Sequence, residues 1–350
     1  MVFPLLSVII PTYGREQVLC DTLADVLKQD YPNLEVLVVD QTKTHDPLTQ
    51  QYLRERVECG DIRLFSLPWA SLPGARNYAI RRAQGEFLLF LDDDVQLPPG
   101  FFHAHVRAFQ AHPSAGAIAG RVLDRMKLAD AEPGLEIDFL PPEAMDPGIA
   151  WYHIDLVHAT QPQQVLTARG CNMAFRRCLF EQHNLRFDER FRGSAVREES
   201  DFCLRTRKTG YSIWYSPEAC LVHLGEESGG CHDISTRSIA YQITFYHNHF
   251  LMGLKNLTMR QNLRFFAKLF DCHVLGHPPC YKSGSVLKVM TRLIFYCAGF
   301  FQAAGRMVQS LWTDGQRYSQ TDPLVSNAAS AQASSPSQNA QMTESYHVHE

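Results

Sequence analysis

The chain has 350 residues, 45% of them hydrophobic, which is enough for one large domain or two ordinary ones and argues against a small fold held by disulfides. The formal net charge is −4, and the sequence has no run of Lys and Arg with interleaved aromatic residues, so nucleic acid is excluded as an expected partner. The ten cysteines are scattered without a CxxC pair, which argues against a zinc site and predicts buried, reduced thiols.

Short apolar runs alternate with amphipathic stretches through the first third of the chain. The pattern predicts strands at residues 6–10, 35–40, 62–67 and 87–91, and helices at 15–29, 47–57, 73–83 and 98–111. Near-continuous apolar strands that alternate with helices are typical of a mostly parallel sheet covered on both faces. We therefore expect an α/β fold, in which ligands bind beyond the carboxyl ends of the strands.

The middle of the chain contains one segment without clear periodicity. Residues 124–164 are rich in Pro, Asp and Glu, which indicates a long active-site loop or an insertion. Regular elements are predicted on both sides of it: a strand at 117–123, a strand, a turn and a second strand within 165–176, a helix at 198–209, and strands at 211–215 and 219–223. This domain is expected to end near residue 235.

The C-terminal part of the chain differs in character. Residues 237–270 are predicted to be helical, and residues 293–305 form an apolar run of about 13 residues, shorter than the roughly 20 needed to span a bilayer. Basic residues flank this run, so it is interpreted as a helix that lies in a membrane interface, with a core or dimer helix as the alternative. From about residue 321 the composition predicts a disordered tail.

The resulting division is a catalytic domain at 1–235, a helical and membrane-associated extension at 236–320, and a tail at 321–350. The N-terminus lacks the basic region and apolar stretch of a signal peptide. We therefore expect a cytoplasmic location, at the inner face of the cell membrane.

Three consecutive aspartates, Asp92, Asp93 and Asp94, follow the apolar strand at 87–91. Carboxylates this close together repel one another unless a cation or several hydrogen-bond donors neutralise them. Oxygen ligands suit Mg²⁺ or Mn²⁺, and Mg²⁺ usually takes one or two carboxylates with substrate phosphates completing its coordination. The alternative is a polar strand end whose side chains cap a turn or a helix.

Six short segments occur in a characteristic order: SVIIPTYGR (7–15), VVDQTKTHD (38–46), LPGARNYAI (72–80), FLLFLDDDV (87–95), GCNMAFRR (170–177) and REESDFCLR (197–205). Together they resemble the family 2 inverting glycosyltransferases of the GT-A fold, over roughly residues 5–230. The resemblance implies a mostly parallel central sheet flanked by helices, here with a helical C-terminal extension. It also implies transfer of a sugar from a nucleotide-diphosphate donor, with UDP-sugars favoured, to a saccharide or lipid-linked acceptor, with inversion and a divalent metal, Mn²⁺ or Mg²⁺.

The resemblance assigns donor contacts to the ends of the first strands. Pro11 and Thr12 are expected to contact the nucleobase, and Asp40 to accept a hydrogen bond from it. The more usual acidic pair at this point is replaced by Asp40-Gln41. Arg76 lies where a helix opens, so backbone N–H groups, the positive helix end and the guanidinium can hold the diphosphate together; a surface ion pair is the alternative for Arg76.

Within the triplet, the resemblance places Asp92 towards the ribose, Asp93 near the donor sugar and Asp94 on the metal that bridges the diphosphate. A metal there acts as a Lewis acid for the leaving diphosphate. His223 ends a later strand, where some relatives supply a histidine near the metal. A structural, hydrogen-bonding histidine is the alternative.

Inversion in a single displacement needs a base that takes the proton of the acceptor hydroxyl. Glu199 matches the position of this base in the resemblance, where Asp is more common. Glu198 and Asp201 are the alternatives, with Asp201 also suited to stabilise the first helical turn. Asn172 and Glu198 are expected on the acceptor side.

Two other classes compete with this interpretation. A nucleotidyltransferase also combines an α/β sheet with acidic metal ligands, but the segment after the first strand, Pro11-Thr-Tyr-Gly-Arg15, is a poor match to its Gly-rich basic loop. An oxidoreductase is disfavoured because no GxGxxG follows a strand. A degenerate, non-catalytic homologue that binds nucleotide sugar is the third alternative.

Overall fold

The computed structural model describes residues 3–125, 137–152, 159–230, 237–278, 282 and 284–313; for residues 152 and 310–313 it describes the backbone only. Parts of the predicted insertion at 124–164 and the whole predicted tail at 321–350 lie outside the described residues. One compact unit ends at Met307. A second unit begins at Val308, and its described part is the end of one helix.

The described residues form a nine-stranded sheet. Its strands are β1 (Leu6–Thr12), β2 (Leu34–Asp40), β3 (Arg63–Ser66), β4 (Phe87–Leu91), β5 (Val95–Gln96), β6 (Ala115–Asp124), β7 (Gln163–Gln164), β8 (Asn172–Arg176) and β9 (Ser212–His223). The order is β3-β2-β1-β4-β8-β6-β9-β5, with β7 beside β9. The strands β1, β2, β3 and β4 pair in parallel, as do β6 and β9, whereas β8 runs antiparallel between β4 and β6.

Two predicted strand boundaries are wrong. No strand forms at 165–169; the two-residue β7 precedes that segment instead. The two strands predicted at 211–215 and 219–223 are one strand, β9, whose pairing with β6 contains a register shift near Gly120. A shift of this kind bends a strand without ending it, so the turn-like composition in its middle did not mark a boundary.

Helices cover both faces of the sheet. They are α1 (Gln17–Leu27), α2 (Pro47–Glu58), α3 (Leu72–Ile80), α4 (Phe101–Ala111), the short α5 (Cys178–Glu181), α6 (Glu198–Lys208), α7 (Ile239–Asn256), α8 (Met259–Leu269) and α9 (Val286–Thr313). A π-helical turn, Phe270–Leu275, follows α8, and two short 3-10 turns lie at Pro142–Met145 and Ala150–Tyr152.

The core has a layer on each face of the sheet because successive side chains of a strand point to opposite faces. Val8 and Ile10 of β1 belong to one apolar cluster, and Ile9 between them belongs to the other. Parallel strands buried on both faces read as continuous apolar runs, which is why the sequence predicted these strands well. A third cluster joins α7, α8 and α9.

The helix α9 is longer than expected. It has 28 residues, and its stretch Val286–Gln309 is long and apolar enough to cross a membrane by length and composition. The apolar run at 293–305, which by itself was expected to be too short to span a bilayer, is therefore part of a longer helix than the sequence predicted. Phe295 and Ala303 of α9 are buried, whereas Leu287, Ile294 and Phe301 are largely exposed.

Phe202 of α6 offers a test of the packing beneath the sheet. It is fully buried, and its ring centroid lies 4.9 Å from Phe175 and 4.2 Å from Phe187. We expect Phe202→Ala to lower the free energy of unfolding by about 3–5 kcal/mol, because it leaves a cavity among rings that cannot collapse. Urea unfolding measures this. Leu48→Ala, at an exposed position of α2, is the control, and a loss at Phe202 no larger than at Leu48 would contradict the packing described.

Candidate active site

A cleft of about 970 Å³ lies at the carboxyl end of the parallel strands. Parallel pairing sets Thr12 beside Asp40 at the ends of β1 and β2, and the aspartate triplet follows β4. Six of the predicted site residues line the cleft: Pro11, Thr12, Asp92, Asp93, Asp94 and His223. The strand ends therefore bring these distant segments together, as the α/β interpretation requires.

Asp92, Asp94 and His223 form a group of potential metal ligands. One ligand atom from each lies within 4.8 Å of the others. The Nε2 atom of His223 is 3.3 Å from a carboxylate oxygen of Asp94 and 3.8 Å from one of Asp92. Two carboxylates and one imidazole suit Mn²⁺, and the carboxylates alone suit Mg²⁺. The donor set therefore fits the divalent cation that the sequence predicts.

Arg15 is a site residue that the sequence analysis did not single out. Its side chain is buried, and it lies 3.2 Å from carboxylate oxygens of both Asp93 and Asp94. It also donates hydrogen bonds to the backbone carbonyls of Glu226 and Ser228 in the loop after β9. The sequence could have indicated Arg15, because a basic residue three positions after the end of β1 lies close to the crevice where the aspartate triplet needs positive charge.

The pKa values of Asp93 and Asp94 shift in opposite directions because the surroundings of the two carboxylates differ. Burial raises the pKa of Asp93 to about 7, although the Arg15 charge opposes this. Burial also disfavours the charged form of Asp94, but the hydrogen bond and charge of His223 outweigh burial and lower the Asp94 pKa. For His223, burial is outweighed by hydrogen bonds with Asp124 and Asp94, which raise its pKa to about 10.

Asp40 is engaged within the fold. Its carboxylate accepts a hydrogen bond from the backbone N–H of Thr42 and lies 3.0 Å from Nε2 of His45. Gln41, beside it, lines the cleft, donates to the carbonyl of Thr12 and accepts from the N–H of Ser71. The nucleobase contact of Asp40 stays a prediction, and the structure places Gln41 on the cleft surface.

Arg76 is buried, with 1% of its surface exposed. It forms an ion pair with Glu198, lies 3.7 Å from Asp92 and donates to the carbonyl of Gly170. Its guanidinium also lies over the ring of Phe187. A direct contact with a diphosphate does not fit this closed position. Arg76 does lie near the start of a helix, as predicted. Its side chain points into the fold, because Asp92 and Glu198 supply its counter-charge there.

The three acids in the first turn of α6 differ in how deeply they are buried. Glu198 is buried against Arg76, so its predicted place on the acceptor side does not fit the structure. Asp201 is buried too and pairs with Arg205 and Lys255. Glu199 is half-buried and accepts a hydrogen bond from Ser200. Of the three candidate bases, Glu199 alone is not fully buried, and its role as base stays a prediction.

Asn172 lies inside the sheet at the start of β8. Its amide donates to the carbonyls of Arg121 and Ala219, and its oxygen accepts from Nε2 of His105. Burial lowers the pKa of His105 to about 4, so the ring is neutral and donates. Asn172 is 0% exposed, and the predicted acceptor contact does not fit because every polar atom of its side chain is used within the fold.

Residues 7–183, just over half of the chain, match the family described as Glycosyl transferase family 2. The chain therefore belongs to glycosyl transferase family 2. The resemblance and the α/β fold of the GT-A type predicted from the sequence are both confirmed.

Two curated relatives carry names that describe lipid-linked acceptors. The chain is 37% identical over 93 residues to the UDP-Glc:alpha-D-GlcNAc-diphosphoundecaprenol beta-1,3-glucosyltransferase WfgD of Escherichia coli. The aligned stretch covers 26% of this chain and 35% of that protein. The chain is 34% identical over 100 residues to the GalNAc(5)-diNAcBac-PP-undecaprenol beta-1,3-glucosyltransferase of Campylobacter jejuni, covering 28% and 32%. Among the first curated relatives, the matched stretch spans between 16% and 40% of their own length.

A solved structure extends the likeness to nearly the whole chain. The mannosyltransferase PcManGT from Pyrobaculum calidifontis, in complex with GDP-Man and Mn²⁺, aligns with 95% of this chain and 81% of its own at a TM-score of 0.50. The identity is 20%, so this likeness shows the fold alone.

The buried role of Asn172 can be tested directly. We expect Asn172→Ala to lower the free energy of unfolding by at least about 2 kcal/mol, because it leaves two carbonyls and the His105 N–H buried without partners. Chemical denaturation measures this. Asn33→Ala, which removes one exposed hydrogen bond to Phe3, is the matched control. Equal losses for the two variants would contradict the buried network.

Proposed function

We propose that this protein is a metal-dependent inverting glycosyltransferase that moves a sugar from a nucleotide-diphosphate donor to a hydroxyl of a saccharide or lipid-linked acceptor. The observation that carries the proposal is the group of Asp92, Asp94 and His223 at the wall of a large cleft. Family membership supports the reaction class, and the printed names of two relatives support a lipid-linked acceptor. Residues 1–235 would form the catalytic domain.

Asp92, Asp94 and His223 would hold the cation, Mn²⁺ or Mg²⁺. A bound divalent cation supplies positive charge that offsets the charge growing on the leaving diphosphate. The Mn²⁺ named with the nucleotide sugar in the related mannosyltransferase structure supports this choice.

The donor would lie along the cleft wall. Pro11, Thr12 and Gln41 line the part next to the ends of β1 and β2, where the nucleobase would bind. As the family resemblance implies, Asp92 would face the ribose and Asp93 the donor sugar. Arg15 holds the carboxylates of Asp93 and Asp94 in place for these contacts. UDP-sugars are favoured among donors.

Glu199 would act as the base. Its carboxylate would take the proton of the acceptor hydroxyl while the acceptor oxygen bonds to the anomeric carbon and the bond from that carbon to the diphosphate breaks. The displacement is single, so the configuration inverts. Burial and pairing of Glu198 and Asp201 support the assignment to Glu199.

We also propose that the helical extension, residues 236–320, contacts the cytoplasmic face of a membrane. The apolar side chains of Leu287, Met290, Ile294 and Phe301 recur at helical spacing and are all more than half exposed. Lys288 adds a basic group to this helix, which suits anionic headgroups. The opposite face of α9 packs within the protein, so a peripheral contact is favoured.

The base assignment predicts a specific kinetic result. We expect Glu199→Gln to reduce transfer by about 10²–10⁴-fold, because no group then accepts the hydroxyl proton, while the donor Kd stays within about threefold. Mass-spectrometric transfer assays over a panel of nucleotide sugars with Mn²⁺ or Mg²⁺ measure the first, and calorimetry the second. Glu218→Gln, an exposed position of β9, is the matched control.

Other outcomes would favour the competing interpretations. Normal turnover with weakened donor binding would refute the role of Glu199 as base. If no donor is bound or turned over and Asp94→Ala changes nothing, the enzyme proposal fails. Release of pyrophosphate from a nucleoside triphosphate and a sugar phosphate would indicate a nucleotidyltransferase, and donor binding without turnover a non-catalytic homologue.

The membrane proposal predicts binding to anionic vesicles. We expect the protein to sediment with vesicles of phosphatidylglycerol and phosphatidylethanolamine, and Ile294→Gln with Phe301→Gln to reduce the bound fraction at least about tenfold, because each exposed apolar side chain contributes roughly 1.5 kcal/mol or more on burial. Leu48→Gln is the control. Unchanged sedimentation together with loss of a dimer in light scattering would show that α9 contacts a second copy instead.

A further inference from the structure

His223 has a neighbour that the sequence did not connect with it. Asp124 ends β6 and His223 ends β9, and the parallel pairing of these strands sets the two residues directly beside each other. Residues paired in register point to the same face of a sheet, so their side chains meet. The Nδ1 atom of His223 lies 3.2 Å from a carboxylate oxygen of Asp124.

The two nitrogens of the His223 ring therefore have different partners. Nδ1 faces Asp124, whereas Nε2 faces Asp94 at 3.3 Å and Asp92 at 3.8 Å. A neutral imidazole carries one N–H and one lone pair, and an ionised carboxylate can only accept. When a divalent cation lies between Nε2 and the other two carboxylates, Asp124 would stabilise the tautomer with the proton on Nδ1, which leaves the lone pair of Nε2 for the cation.

Arg169 holds Asp124 in place. Its two terminal nitrogens donate to the two carboxylate oxygens of Asp124 at 2.7 and 3.1 Å. A bidentate pair of this kind fixes the carboxylate plane and favours its ionised form. The Asp124 oxygen that faces Nδ1 is thus set by a guanidinium that comes from the segment before β8.

We propose that Asp124, clamped by Arg169, is a positioning residue that fixes the tautomer and orientation of His223 so that Nε2 can bind a divalent cation. The proposal rests on the metal site of the proposed function. Asp124 contacts Nδ1, the side of the ring that faces away from Asp92 and Asp94, so it acts through His223. Partners of this kind typically change metal affinity by about 10–100-fold when they are removed.

The test is Mn²⁺ binding to the purified full chain, followed by electron paramagnetic resonance. Four proteins form a cycle: the natural chain, Asp124→Asn, His223→Ala and the double variant. We expect Asp124→Asn to weaken Mn²⁺ binding about tenfold or more, and to cause no further loss in the His223→Ala background. Asp271→Asn is the matched control, because Asp271 contacts the exposed His277 in the same way, far along the chain.

A second readout follows the ring itself. In nitrogen-detected NMR of the protein saturated with Mg²⁺, which is diamagnetic, we expect the natural chain to hold the proton of His223 on Nδ1, and Asp124→Asn to lower the population of this tautomer. Should Asp124→Asn not fold, Arg169→Gln tests the same contact, with an expected weakening of about threefold or more.

The outcomes distinguish a failure of the positioning role of Asp124 from a failure of the metal site. Unchanged Mn²⁺ affinity in Asp124→Asn, or in Arg169→Gln, overturns the positioning role. A further loss in the His223→Ala background shows that Asp124 acts directly on the cation, which also overturns it. If His223→Ala itself binds Mn²⁺ like the natural chain, the metal site of the proposed function fails instead.

Discussion

The charge balance at the end of β4 is the constraint around which the cleft is arranged. Three adjacent carboxylates, Asp92–Asp94, are tolerated because cationic groups from other elements approach them: Arg15 from the loop after β1 and His223 from the end of β9. Because the triplet is largely buried, these contacts are screened less by solvent than surface ion pairs are. Arg15 also donates hydrogen bonds to the backbone carbonyls of Glu226 and Ser228, and these bonds hold the loop after β9 against the cleft.

A second buried ion pair links α3 to α6, the helix that carries the proposed base. Arg76 of α3 pairs with Glu198 of α6 and approaches Asp92. A buried pair of this kind loses much of its Coulombic gain to desolvation, so its value lies in fixing geometry. Asp201 is fixed on the same helix by Lys255 of α7. Glu199 therefore projects from a turn whose neighbouring acids are both anchored.

Much of the fold was predictable because its signals are local. Strands buried on both faces appear as apolar runs, and the predicted strand at 87–91 matches β4 residue for residue. The direction of β8 was not predictable, because an apolar run carries no record of whether its partners run parallel or antiparallel. Asn172 was misplaced for a related reason: a polar residue at a strand start looks accessible until the neighbouring strands close around it.

The sequence by itself determined where the elements lie and that three carboxylates crowd one strand end. The tertiary structure decided which groups balance them. Arg15 lies 78 positions from Asp93, and Asp124 lies 99 positions from His223, yet each pair is in hydrogen-bonding contact. Side-chain periodicity reports on neighbours within one strand or helix. Ion-pair partners depend on sheet order and register, which are set only when strands distant in sequence pair.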